Sequence, residues 1–324
     1  MSSVGRYLPD HILTNQDLEK MVETNDEWIR TRTGIRERRI LKDSDKASAF
    51  MGAEAAAEAL DRAMVKADEV DAIIVATATP DYIFPATACL VQKMLGAENA
   101  YGFDLSAACS GFVYGISTGA MMIESGRYEK VLVIGSDKMS SIVDYTDRTT
   151  CILFGDAAGA VLLEPSDDYT GIIDFVNHVS GDDQRSLIQE GGGSRNPASE
   201  ETLKKGWHYL KQEGRTVFKK ATEGMADVSL EIMQRNNLSP DDISWLVPHQ
   251  ANLRIIDATA RRMGLSSDKV MINIDKYGNT TAATIPLCLY DWQDQLNHGD
   301  NLILSAFGGG FTWGAIYLKW SLTK

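Results

Sequence analysis

At 324 residues the chain has room for about two ordinary domains, or one large fused α/β unit. Hydrophobic residues make up 44% and charged residues 24%, which excludes intrinsic disorder and indicates a sizeable core. A formal charge of −13 argues against a general nucleic-acid binder, and the longest apolar stretch, the 13 residues from Gly111 to Ile123, is too short to span a membrane.

The opening MSSVGRYLPD has no basic region followed by an apolar run, so no secretory signal is expected. Ala47 to Ala67 is Ala-rich, with Met51, Ala55, Ala59 and Met64 near helical spacing. Val70–Pro80 is an apolar, β-rich run closed by Pro80. Cys89 to Leu95 reads as a helix ended by Gly96, and AYGFDLSAACSG as a strand entering a turn. Phe112 to Glu124 predicts a helix and Val131–Asp137 a strand. Strands that are continuously apolar, set between helices, imply a sheet covered on both faces.

The second half repeats this order. Val217 to Asn236 predicts an amphipathic helix, Asp241–Asn252 a strand, and Leu253 to Met263 a helix stopped by Gly264. VMINIDKYGNTTAATIP reads as a strand into a turn, Leu287 to Leu296 as a helix, and Asn301–Phe307 as a strand. The offsets between halves are nearly constant: 172 from Ile73 to Trp245, 170 from Cys109 to Asn279, and 171 from Val131 to Leu302. The closing strands Ala158–Glu164 and Trp313–Lys319 match at 155. We read two duplicated βα halves, 1–165 and 216–324, joined by a cap or connecting region at 166–215.

Cys89, Cys109, Cys151 and Cys288 lie far apart, with no CxxC, so neither a zinc knuckle nor a disulfide scaffold is expected. Reduced, mostly buried thiols in a cytosolic protein are the plain expectation. Cys109 differs, because a strand delivers it to the start of an apolar helix. Unsatisfied N–H groups and the helix dipole there would stabilise a thiolate. A small buried core cysteine is the alternative. His249 follows an apolar strand and Pro248, beside Gln250 and Asn252, where it could donate to a developing anion or be a satisfied loop histidine. Asn279, after Gly278, is expected at the position that Cys109 holds in the first half. The three glycines of AFGGGFTWG suit a close backbone approach and oxyanion donors better than a phosphate loop. His11, His178, His208 and His298 lie in polar contexts and are expected at the surface.

Cys, His and Asn in that order, followed by a triple-glycine strand exit, form a specific pattern. With DEWIRTRTGIRERR (26–39), FPATAC (84–89), the TDR and FGDAAGA segments (146–160), LVPHQANLRII and YGNTTAA, the sequence closely resembles β-ketoacyl-acyl-carrier-protein synthase III of the thiolase superfamily. The resemblance covers nearly the whole chain. It implies an α/β thiolase-like fold with a layered α-β-α-β-α core. It also implies a first strand ahead of the GRYLPD segment, which is expected to be shortened because only four residues precede Gly5.

The resemblance further implies a ping-pong condensation that initiates fatty acid synthesis from a short acyl-CoA and malonyl-acyl-carrier protein. Cys109 would carry the acyl group, and His249 and Asn279 would hydrogen-bond the malonyl thioester oxygen. The N–H groups of Cys109 and Gly309 would form the oxyanion hole. CoA would be bound by Trp28, Arg32, Arg148 and Arg254, with Asn252 and Phe307 supporting the malonyl site. Phe84 would reach the acyl pocket of a partner subunit, which implies a homodimer. Arg254, Arg261 and Arg262, on one face of a helix and extended by Lys219 and Lys220, would dock the acidic carrier protein. No metal, no cofactor, no nucleic acid and no membrane insertion are implied, and a cytoplasmic location is. A related acyl-CoA condensing enzyme of secondary metabolism, making a ketone, quinolone or polyketide, would share these motifs.

Overall fold

Continuously apolar strands need cover on both faces, and the chain builds two sheets that receive it. The structure, a computed structural model, describes residues 1–322. The first half runs β1 (Ser3–Tyr7), β2 (His11–Thr14), α1 (Asn15–Leu18), α2 (Asp26–Thr33), β3 (Glu37–Ile40), α3 (Ser48–Ala63) and β4 (Ala72–Ala76). It continues through α4 (Thr87–Leu95), β5 (Tyr101–Leu105), α5 (Gly111–Glu124), β6 (Val131–Asp137) and β7 (Ala157–Leu163). Next come β8 (Gly171–Val179), β9 (Leu187–Ile188), α6 (Glu200–Lys204), β10 (Lys211–Gln212), α7 (Gly214–Arg235) and β11 (Trp245–Pro248). The chain closes with α8 (Leu253–Met263), α9 (Ile274–Tyr277), α10 (Thr284–Trp292), β12 (Asn301–Gly308) and β13 (Thr312–Lys319).

One sheet has the order β1-β7-β6-β4-β5 and the other β11-β12-β13-β8. Strand by strand, β1, β7, β6 and β4 correspond to β8, β13, β12 and β11. In both sheets one neighbouring pair is parallel, β4 with β6 and β11 with β12, and the closing strand is antiparallel. Helix α5 packs on β4 and β6 and also on β12 and β13, while α10 packs on β1, β7 and β11. These two helices are therefore the middle layer of five. Helices α3 and α4 cover the outer face of the first sheet, and α7 covers that of the second with α8 beside it. This is the layered α-β-α-β-α arrangement of the thiolase-like fold.

The halves meet where side chains are excluded. A Cβ on Gly135 would collide with the Ala282 carbonyl, and one on Gly308 would lie 2.7 Å from the Cys109 nitrogen. Each glycine comes from one half and its neighbour from the other. Both pairs share one offset of 173 residues.

Three expectations change. The stretch assigned to a cap contains β8, which pairs with β13 along its length, so the second sheet begins near residue 171 rather than 216. The first strand is not shortened away: β1 includes the GRY residues themselves and pairs with β7 over all five positions. Finally, the strand expected from Val270 reduces to a single parallel bridge beside β11, between Val270 and Leu246. Gln250 takes the place of a strand neighbour there: its Oε1 accepts from the N–H groups of Asn273 and Ile274, and its Nε2 donates to the Pro248 and Met271 carbonyls. Beyond the bridge the backbone is thereby satisfied without a ladder, and α9 follows.

Candidate active site

In sheets of this kind, ligands collect outside the carboxyl ends of parallel strands. Cys109 follows β5 on a tight turn at 108–110 that runs into α5. His249 extends the β11 ladder by one bond, its N–H donating to the Ser305 carbonyl at 2.8 Å. Asn279 is held through its backbone, its N–H donating to the Leu153 carbonyl and its carbonyl accepting from Gly155. All three side chains line one cavity of about 360 Å³.

The equivalence expected between Asn279 and Cys109 is not the one observed. The turn at 108–110 matches the turn at 281–283, and each starts with a left-handed residue, Ala108 (φ 46°) and Thr281 (φ 51°). Cys109 therefore corresponds to Ala282, and Asn279 lies three residues earlier, on the approach to the turn. The offset of 170 read from the sequence differs from the structural 173 by those three residues.

Burial pushes the Cys109 thiol up to about 12, with the charge of Asp137 adding to the shift. The lowered value expected from the helix start is thus outweighed by desolvation on burial. Burial also pushes His249 down to about 3, so its ring is neutral. Its Nδ1 lies 2.8 Å from the Thr284 hydroxyl, which also reaches the Thr281 carbonyl at 3.0 Å; Nε2 is a donor in the tautomer whose Nδ1 accepts from Thr284. The Asn279 Oδ1 accepts from the Thr281 N–H at 2.9 Å, so the amide presents its NH₂ edge as the free end. Among the described residues, no turn or cap hydrogen bond uses the N–H of Cys109 or of Gly309. The cavity thus offers a thiol, a neutral imidazole and oriented N–H donors. Those groups suit transfer of an acyl group and stabilisation of an oxygen anion.

The other expected site residues divide. Trp28 lies beneath both Arg148, at 4.9 Å, and Arg32, at 5.4 Å, so these three form one cluster. Arg254 is exposed and stacks on Phe218 at 4.9 Å. Phe307 is part of the cavity wall and packs against Phe311. Asn252 reaches the cavity, but its Oδ1 caps α8 at Arg254 and its Nδ2 donates to the Arg32 carbonyl. It ties α8 to α2 rather than offering a free amide. Phe84 does not line this cavity and is 85% exposed. Arg262 pairs with Asp227 at 2.6 Å and Lys220 with Asp183 at 3.4 Å, so the basic face is smaller than its residue count suggests. His178 and His208 are half-buried rather than superficial, His178 being paired with Glu231.

Sequence reasoning missed Met139, Ile142 and Leu210, which form apolar wall. They come from separate segments with no shared motif. It also missed Asp137 and Thr284, for which the only sequence signals are a carboxylate closing an apolar strand and a threonine opening a helix.

Residues 103–181 match the family model of 3-oxoacyl-[acyl-carrier-protein (ACP)] synthase III, and residues 233–320 match that of its C-terminal part. The β-ketoacyl-[acyl-carrier-protein] synthase III of Chlorobium chlorochromatii is 58% identical over 99% of this chain and 98% of its own. That of Porphyromonas gingivalis is 52% identical, covering 99% and 96%. The crystal structure of 3-oxoacyl-[acyl-carrier-protein] synthase III from Aquifex aeolicus superimposes with a TM-score of 0.90 at 43% identity, covering 98% of this chain and 99% of that one. Fold and relatives together define a thiolase-fold condensing acyltransferase. The chain belongs to the β-ketoacyl-acyl-carrier-protein synthase III family, whose reaction initiates fatty acid synthesis.

Proposed function

We propose that Cys109 is the acyl carrier of this reaction and that His249 and Asn279 serve its decarboxylating half. The sulfur of Cys109 attacks the thioester carbonyl of a short acyl-CoA. The bond to the CoA sulfur breaks, and the thiol proton leaves on CoA. Malonyl-acyl-carrier protein then enters, and the bond to its carboxylate breaks with loss of CO₂. The electron pair passes to the thioester oxygen, where the N–H groups of His249 and Asn279 stabilise it. The resulting enolate carbon attacks the acyl-cysteine, releasing 3-oxoacyl-carrier protein and the Cys109 thiolate, which takes up a proton. Neither metal nor cofactor is called for, because the thioester carbonyl itself takes the charge. The observation that carries this reading is the meeting of Cys109, His249 and Asn279 on one cavity, with the Asn279 amide turned as a donor. Intact-mass analysis after incubation with a panel of acyl-CoAs tests it, through an adduct on Cys109.

The cluster of Trp28, Arg32 and Arg148 suits an adenine ring and phosphates, with Arg254 nearer the carrier. The likeness of the chain to the family supports a homodimer, and so does its surface. Tyr82, Ile83 and Phe84 are 60%, 83% and 85% exposed, and β5 is an open sheet edge. Phe84 would enter the acyl pocket of the second copy. Phe84→Ala is expected to widen the range of acyl-CoAs that label Cys109; an unchanged profile across the panel would remove Phe84 from the pocket. The buried free thiols Cys109, Cys151 and Cys288 suit a cytoplasmic location. Among the described residues no helix is long and apolar enough to cross a membrane.

With a formal charge of −13, the enzyme repels an acidic carrier on average, so docking requires a local basic face. Arg254 and Arg261 lie two turns apart on α8, and both are exposed. Arg261→Glu is expected to raise KM for malonyl-acyl-carrier protein several-fold, while acyl-CoA labelling of Cys109 stays near wild type. The wild-type condensation rate should fall with added salt. Equal losses in both half-reactions would indicate damage to α8, and no loss would place the carrier elsewhere.

A further inference from the structure

Of the two left-handed residues that open the central turns, Ala108 directly precedes the nucleophile. Thr281 is harder to account for. At φ 51° it occupies a backbone region natural to glycine and poorly suited to a β-branched side chain. The segment keeps this conformation, so some contact must hold it there.

Asp137 supplies that contact. It lies fully buried at the end of β6, and its Oδ2 is hydrogen-bonded to the Thr281 hydroxyl. Its Oδ1 is anchored within the first half by the Ala78 N–H at 2.7 Å, the Thr79 hydroxyl at 2.9 Å and N–H at 3.0 Å, and the Thr77 hydroxyl at 3.1 Å. A carboxylate rooted in one half thus reaches across to grip a strained residue of the other. That residue turns its own N–H onto the Asn279 Oδ1 at 2.9 Å.

We propose that Thr281 is a positioning residue for Asn279: its left-handed backbone, clamped by Asp137, fixes the carboxamide with its NH₂ edge toward the substrate oxygen. This rests on the donor role given to Asn279 above. Were the backbone at 281 to relax, its N–H would leave the Asn279 oxygen. The amide could then turn that oxygen toward the developing anion, which it would repel.

Glycine and alanine at 281 separate this role from packing. Both remove the hydroxyl and leave Asp137 Oδ2 only the longer contact from the Ala282 N–H at 3.4 Å, and of the two only glycine holds φ near 51° without strain. Malonyl-acyl-carrier-protein decarboxylation is measured for each variant, beside acyl labelling of Cys109. Thr281→Ala is expected to lower kcat about 10-fold or more with KM within about 2-fold of wild type. Thr281→Gly and Thr281→Ser are expected to stay within about 3-fold. A merely structural defect would lower acyl labelling of Cys109 and decarboxylation together, whereas loss of positioning lowers decarboxylation alone. A glycine variant as impaired as the alanine variant, or worse, overturns the proposal, and so does an alanine variant at wild-type rate. If the alanine variant fails to fold and label, the other two decide: activity in both upholds the proposal, and an inactive glycine variant overturns it. Asn279→Ala is run alongside. If it decarboxylates normally, the donor role itself is wrong; if it is impaired while Thr281→Ala is not, only the positioning is wrong.

Discussion

The Cys109→Ser variant, incubated with acyl-CoA, is expected to show no mass increase and to form no 3-oxoacyl product. The thiol of Cys109 already stands at about 12 because burial disfavours its charged form. A serine hydroxyl loses its proton far less readily and is a much weaker nucleophile in the same place. The shift also has a sign that can be measured. Below its pKa the thiol is overwhelmingly protonated, and each pH unit upward multiplies the thiolate by about ten. Alkylation of Cys109 by a small neutral reagent should therefore keep rising from pH 7 to about pH 10. A plateau near pH 7 or 8 would mean that the start of α5 outweighs burial.

Asn279→Ala and His249→Ala should behave differently from Cys109→Ser. Each is expected to accept the acyl group on Cys109 yet to decarboxylate malonyl-acyl-carrier protein about 10²-fold more slowly or worse, the scale for losing one oxyanion donor. Decarboxylation at the wild-type rate in either variant would refute its assigned role. Burial holds His249 at about 3, so the ring is neutral throughout the working range. A histidine with a depressed pKa changes charge only at acid pH. His249 should therefore contribute no inflection to the decarboxylation rate between about pH 5 and 9. An inflection near 6.5 that disappears in His249→Ala would contradict a neutral donor.

Much of this was legible in the sequence, for reasons that differ between elements. Helix α8 was read to the residue because an asparagine cap opens it and Gly264 closes it in the left-handed conformation. β6 was equally plain, because all seven of its residues are buried. The strand expected at 270–279 was not recoverable, since Gln250 replaces its ladder through contacts more than 20 residues away. The registration of Asn279 against Cys109 failed because strand spacing and turn spacing drift apart by three residues. The apolar cavity wall, including Met139 and Leu210, was invisible because no local pattern joins residues that meet only in the fold. The pairing of Arg262 with Asp227 joins two helices and leaves no trace in the charge pattern of either.

The paired glycine contacts bear on descent. Gly135 against Ala282 and Gly308 against Cys109 are one contact made twice, as when an ancestral chain met its own copy across a twofold axis. Such an ancestor would have owned two identical centres, each built from both copies. Fusion of the copies freed each to mutate alone. In this chain one turn carries Cys109, while its counterpart carries Ala282, 1% exposed and packed in the core. The one cavity draws unlike groups from the two halves, a thiol from one and the His249 and Asn279 side chains from the other. Symmetry had forbidden that specialisation. A side chain at either glycine would part the halves.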